Sequence, residues 1–90
     1  MTAGAYSIFV RESVRRSIRR FPRLVLERIR NHIAALAQEP FPPGVEKMQG
    51  YDHYYRIRVG DYRIVYEVST QIRIISIVAI GHRKDIYKKL

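Results

Sequence analysis

The chain has no cysteine, few acidic side chains, no long apolar run, and only four prolines, three of them inside the stretch EPFPPG at 39–44. Without cysteine, neither a disulfide nor a thiolate zinc site can supplement the core. A metal would need carboxylates or the three histidines His32, His53 and His82, whose spacing matches no ligand motif. No segment approaches the ~20 apolar residues of a membrane span. The start, MTAGAYSIFVRES, has no charged region followed by a long apolar stretch. A cytoplasmic protein with no membrane association, no metal and no small-molecule cofactor is expected.

What is present is apolar substance and positive charge. At 47% apolar residues the chain is too hydrophobic to be disordered. Ninety residues predict one domain spanning 1–90. A chain this short buries only about 60–65% of its unfolded surface, so the core will be thin. Against 8 Asp and Glu stand 17 Lys and Arg, a formal charge of +9. Thirteen of these are arginine, whose planar fork binds phosphate through paired donors. Such a balance favours a polyanion, a nucleic acid or a ribosome, although it also serves solubility or attraction to an acidic protein.

Residues 5–10, AYSIFV, are β-branched and aromatic enough for a strand. From Glu12 to Phe21, Val14, Ile18 and Phe21 recur at helical spacing among Arg15, Arg16, Arg19 and Arg20. Pro22 breaks that helix and suits the first turn of the next. In Arg23 to Gln38, Leu26, Ile29, Ile33 and Leu36 form one helix face. EPFPPG then reads as a loop. In Tyr54 to Val68 the period changes to two on either side of Gly60-Asp61, the signature of a β-hairpin. The run Ile72 to Ile80 is apolar on both faces and predicts an interior strand. A short helix or tail from about Lys84 closes the chain. The expected architecture is α/β in the α+β sense, in the order β-α-α-β-β-β, with a small antiparallel sheet packed against two N-terminal helices.

If Gly60 and Asp61 are the central turn residues, Val59 opposes Tyr62, Arg58 opposes Arg63, Ile57 opposes Ile64 and Arg56 opposes Val65. Alternation then puts Tyr55, Ile57, Val59, Tyr62, Ile64 and Tyr66 on the core face and Arg56, Arg58 and Arg63 on the other. Directly opposed like charges cost up to about 1 kcal/mol, and an anion held between the guanidiniums turns that cost into affinity. The competing view is a merely solvated sheet face, with Glu67 absorbing some of the charge. The helical arginines, Arg11 to Arg30, are expected chiefly to keep a helix face wet. The segment IGHRKDIY places His82, Arg83 and Tyr87 where the interior strand ends, a frequent position for functional side chains. Imidazole is the natural proton carrier near neutral pH.

The hairpin YYRIRVGDYRIVYEV and the segment IGHRKDIY resemble the two hallmark stretches of the RelE branch of the RelE/ParE toxin superfamily. The similarity runs from Tyr6 to Tyr87. It implies a toxin of a type II toxin-antitoxin system, a ribosome-dependent endoribonuclease cutting messenger RNA in the A site and neutralised by an acidic, RelB-like antitoxin. Carried over position by position, the resemblance implies Arg56 and Arg58 before the hairpin turn, Arg63 after it, Arg83 after the last strand and the trailing Tyr87. The best-known pattern has lysines at the first two positions. Arginine, with a reference pKa of about 12.5–13.8, is a poor proton carrier but a strong electrostatic clamp.

The mechanism so implied is attack of the ribose 2′-hydroxyl on the adjacent phosphate, with Arg63 and Arg83 stabilising the growing charge and Arg56 and Arg58 positioning the backbone. Proton removal falls to Tyr87, to His82 or to a group of the ribosome. Lys47, Arg73 and Lys84 are further candidates for holding RNA. No acidic cluster suits a two-metal site, so cleavage is expected to survive a chelator. The same superfamily also contains ParE-like toxins that act on gyrase without nuclease activity, and an inactive antitoxin-binding domain is a third possibility.

Overall fold

The computed structural model describes residues 5–90. The expectation for the start of the chain falls partly on residues 1–4, outside the described ones. Strand β1 (Ser7–Val10) leads into α1 (Glu12–Ser17), a 3₁₀ turn (Ile18–Arg20) and α2 (Arg23–Gln38). There follow β2 (Glu46–Lys47), β3 (Tyr54–Val59), β4 (Tyr62–Ser69), β5 (Ile74–His82) and a last 3₁₀ turn (Ile86–Lys89). The strands form one sheet in the order β1-β5-β4-β3-β2.

The helical segment expected from Glu12 to Phe21 is interrupted. Pro22 caps α2 from outside the helix, with φ −56° and ψ 146°, and it holds the preceding Phe21 extended at ψ 146°. The helix therefore ends at Ser17, and one 3₁₀ turn carries the chain round the corner. In α2 the expected stripe is the packed one: Ile29 and Leu36 are buried, and Leu26 and Ile33 are half-buried.

The sheet is mixed, which corrects the expectation of an antiparallel one: β1 pairs with β5 in parallel, Ser7 beside Ile74 through Val10 beside Ile77. The reason lies in the helices. The end of α2 returns to where β1 began, the Tyr6 N–H donating to the Ala37 carbonyl at 2.8 Å. The next long strand, β3, therefore starts at the same end as β1, and two reversals later β5 runs as β1 does. The interior strand also sits two residues further along than the apolar run suggested. Arg73 takes a left-handed φ of 57° and turns the chain, leaving Ile72 67% exposed outside the strand.

The hairpin has the register its sequence predicts, Val59 against Tyr62 and Arg58 against Arg63. Gly60 makes this turn with φ 61°, a value that a side chain would strain. Its inner face joins Ile57, Val59, Ile64 and Tyr66 to Val14, Ile29, Leu36, Ile75, Ile77 and Ile80 in the main core. Tyr66 is fully buried, and its hydroxyl donates to the Pro40 carbonyl at 2.8 Å, tying the proline loop to the sheet. The outer face has a smaller apolar cluster of its own, which the sequence pattern did not reveal. Met48, Val65, Val78, Ala79 and Ile86 pack there, the last carried in by the C-terminal turn.

Candidate active site

Between Val65 and Tyr66 the β4–β5 ladder slips: Val65 pairs with Ala79 but Tyr66 with Ile77, leaving Val78 as an extra residue in β5. That bulge reverses which side chains face which layer. Below it Ile75 and Ile77 face the helices; above it Ile80 does, and Ala79 turns outward. Continued past the strand, the same parity aims Arg83 at the outer face, where Arg63 lies opposite Gly81. Without the extra residue Arg83 would be on the helix side.

A backbone bond then fixes the tail to the hairpin turn, the Arg83 N–H donating to the Asp61 carbonyl at 2.7 Å. The result is a cleft of about 430 Å³ lined by Arg56, Arg58, Arg63, Arg83, Lys84 and Tyr87, with Glu46 and Ile86 completing its wall. Five of these residues are cations and one is an anion. Glu46, on the two-residue edge strand, accepts from Arg56 Nη2 at 3.1 Å and from Nε at 3.3 Å. Arg56 Nη1 in turn donates to the Tyr87 hydroxyl oxygen, which leaves that hydroxyl's own proton for another acceptor. Arg83 approaches the Asp61 carboxylate only at 4.0 Å and is more than half exposed. Arg63 donates to the carbonyls of Tyr62 at 3.1 Å and Gly60 at 3.4 Å. Among the described residues, Arg58 and Arg63 have no carboxylate partner.

The electrostatic consequence is concentrated on Arg63. Partial burial, then the repulsion of Arg58, Arg56 and Arg83 in that order, pulls its guanidinium below the usual arginine value, and Asp61 opposes this only weakly. A site that disfavours its own charge is one in which an anion gains most. Among the described residues no three His, Asp or Glu side chains gather as metal ligands do.

Not every candidate arrives here. His82 opposes Tyr62 on the helix side, with ring centroids 5.7 Å apart, and its Nδ1 accepts from the Lys84 N–H at 3.2 Å. His82 therefore lies outside the cleft: residues 82 and 83 point to opposite faces by strand alternation. Of the additional RNA candidates, Lys84 lines the cleft. Lys47 opposes Tyr55, on the side away from the arginines. Arg73 precedes the other end of β5 and stacks over the Tyr6 ring at 4.6 Å, a strand's length from the cleft. Glu46 is the site residue that sequence reasoning missed, because a two-residue edge strand has no periodicity to read.

Comparison with known proteins bears on family and fold. The family model described as the ParE toxin of type II toxin-antitoxin systems, parDE, matches residues 8–87. Two proteins of Methanocaldococcus jannaschii are similar to the chain. A candidate toxin named RelE1 is 28% identical over 86 residues, 92% of this chain and 96% of that one. Toxin RelE3 is 51% identical over 43 residues, 48% of this chain and 47% of that one. Among solved structures, the archaeal RelE–RelB complex from Pyrococcus horikoshii superposes with a TM-score of 0.79 at 27% identity, covering 88% of this chain and 96% of that chain. A RelB–RelE antitoxin–toxin complex from Methanococcus jannaschii gives a TM-score of 0.67 at 30% identity, covering 89% and 95%.

Proposed function

This chain belongs to the ParE toxin family of type II toxin-antitoxin systems and is a RelE-type toxin within it, and we propose that it cleaves messenger RNA in the ribosomal A site without a metal. The observation that carries this is the convergence of Arg56, Arg58, Arg63 and Arg83 on one cleft in which, among the described residues, Arg56 alone has a carboxylate within hydrogen-bond distance. A phosphodiester entering there relieves the mutual repulsion of the guanidiniums and gains paired hydrogen bonds.

The chemistry follows from charge placement. The ribose 2′ oxygen forms a bond to the adjacent phosphorus as the bond from phosphorus to the 5′ oxygen breaks, leaving a 2′,3′-cyclic phosphate and a 5′-hydroxyl. Arg63 and Arg83 stabilise the charge that grows on the non-bridging oxygens. Arg56 and Arg58 hold the backbone and the departing oxygen, which takes a proton from solvent. The 2′ proton passes to a group of the ribosome, or through the Tyr87 hydroxyl beside Arg56, which gives its own proton to solvent as it accepts. His82 has no part in it. Four guanidiniums supply the positive charge that a metal supplies elsewhere.

An acidic, RelB-like antitoxin neutralises the toxin, a partnership supported by the RelB complexes of similar chains. We read residues 1–90 as one toxin domain working in the cytoplasm, where ribosomes are. The test is a reconstituted translation reaction with a defined message. Cleavage products appear with the wild-type chain, and Arg83→Ala reduces their rate by about 10²–10³-fold with folding unchanged. Sulfur substitution at the scissile phosphate is not rescued by thiophilic metals, a safer probe than chelation because ribosomes need magnesium. Inhibition of gyrase supercoiling with the message left whole overturns the proposal in favour of a ParE-like action.

A further inference from the structure

Tyr54 lies on β3 two residues before Arg56, on the same outer face, and shares the small apolar cluster of Met48 and Ile86. Positions two apart on a strand are about 7 Å apart. Arg58, Arg56 and Tyr54 thus form a row at a spacing comparable with one nucleotide step. Tyr51, from the turn before β3, stacks on Tyr54: the ring centroids are 5.2 Å apart and the planes 7° from parallel. Gly50 shapes that turn with a φ of 85°. Tyr54 is half-buried, whereas Tyr51 is 37% exposed. Tyr51 also lines an open concavity of about 550 Å³ together with the polar residues Gln49 and Asp52.

We propose that the Tyr51–Tyr54 stack is a platform for a nucleobase of single-stranded RNA flanking the scissile phosphate, with Gln49 and Asp52 meeting the base edge. The proposal rests on the RNA-cleaving function and extends it to a part of the surface that the arginines do not reach. Chemistry favours a base over other occupants. The neighbouring cleft binds phosphates, and a flat aromatic face continuing the phosphate row offers what a base needs next. Two rings already stacked present a rigid surface with little rotamer entropy to lose, and the amide and carboxylate supply one mixed and one accepting edge. A ring serving only to cover Tyr54 needs neither polar neighbours nor an accessible outer side.

The experiment measures binding of fluorescein-labelled oligoadenylate and oligouridylate to the intact chain by anisotropy over a range of salt, with cleavage of a message on programmed ribosomes as a parallel readout. Tyr51→Ala, at an accessible loop position, is expected to weaken oligoadenylate binding about tenfold and to abolish the preference for adenine over uracil. The salt slope stays as in the wild type, because stacking releases no counterion. Tyr51→Phe retains affinity and preference. Arg58→Ala has the opposite signature, a salt slope smaller by about one with the base preference kept. If Tyr51→Ala binds both oligonucleotides as the wild type does while Arg58→Ala weakens both, the platform is refuted and the arginines still act on RNA. If the wild-type chain neither binds the oligonucleotides nor cuts the message, the platform and the cleavage function fall together.

Discussion

On the helix side of the sheet, Ile57, Ile64, Tyr66, Ile75, Ile77 and Ile80 are at most 6% exposed; on the other side the same strands present Arg56, Arg58 and Arg63. The first face is sealed with large aliphatic side chains and two helices. The second has a small apolar patch, with Val65, Val78, Ala79 and Ile86 at its centre, beside a cleft lined mostly by charge. A protein this small cannot insulate both faces, and the difference shows how it separates two demands. Stability comes from the covered face, and the uncovered one spends part of it holding like charges together.

Breaking the covered face should have the largest effect. Ile64 is fully buried in the main core, so Ile64→Ala removes its burial and leaves a cavity, lowering unfolding free energy by about 2–5 kcal/mol. Val78, in the outer cluster, is 6% exposed, and Val78→Ala should cost only about 1–2 kcal/mol. Urea midpoints of the two variants measure the comparison. Equal losses would mean that the outer patch is as much a core as the inner one.

The covered face was legible in the sequence because alternation and helical spacing are written there directly. Leu26, Ile29, Ile33 and Leu36 announce a stripe, and Gly60-Asp61 fixes the hairpin register, which places Arg56, Arg58 and Arg63 together before any coordinates are known. Arg83 and Tyr87 join them for reasons that no local pattern carries. The bulge at Val78 changes the parity of β5, and the bond from Arg83 to Asp61 is made between residues distant in sequence. His82 illustrates the limit: one residue from Arg83, it faces the other way, and nothing in IGHRKDIY says which of the two turns outward. The parallel β1 was hidden as well, because strand direction depends on where α2 ends rather than on any residue in β1.

A smaller effect is expected at the hydroxyl of the fully buried Tyr66. Tyr66→Phe leaves the Pro40 carbonyl without its donor and should cost about 1 kcal/mol. It also has a pH signature. Burial, helped slightly by Tyr55, raises the Tyr66 phenol above its ordinary value, so the unfolded chain loses this proton first. The stabilisation is complete below about pH 10 and is lost as pH rises above that towards the folded value. Thermal melts at alkaline pH should therefore fall more steeply for the wild type than for Tyr66→Phe. Parallel curves would show that the buried hydroxyl does not govern alkaline stability.

The smallest change belongs to the charged face and has the opposite sign. Arg63 opposes Arg58 across the ladder, and burial together with the repulsion of Arg58, Arg56 and Arg83 holds its guanidinium below the usual value. At neutral pH the group is still protonated in both folded and unfolded chains, so the repulsion is a standing cost of folding rather than a titration. Arg63→Gln removes it and should raise stability by up to about 1 kcal/mol while slowing cleavage, since the same charge stabilises the transition state. Sulfate should reproduce the gain without mutation, by occupying the space between the guanidiniums. It should raise the melting temperature of the wild type more than chloride at equal ionic strength, and do so less for Arg63→Gln. If the variant melts lower than the wild type and sulfate treats both alike, the cluster is not strained, and the two faces differ in exposure alone.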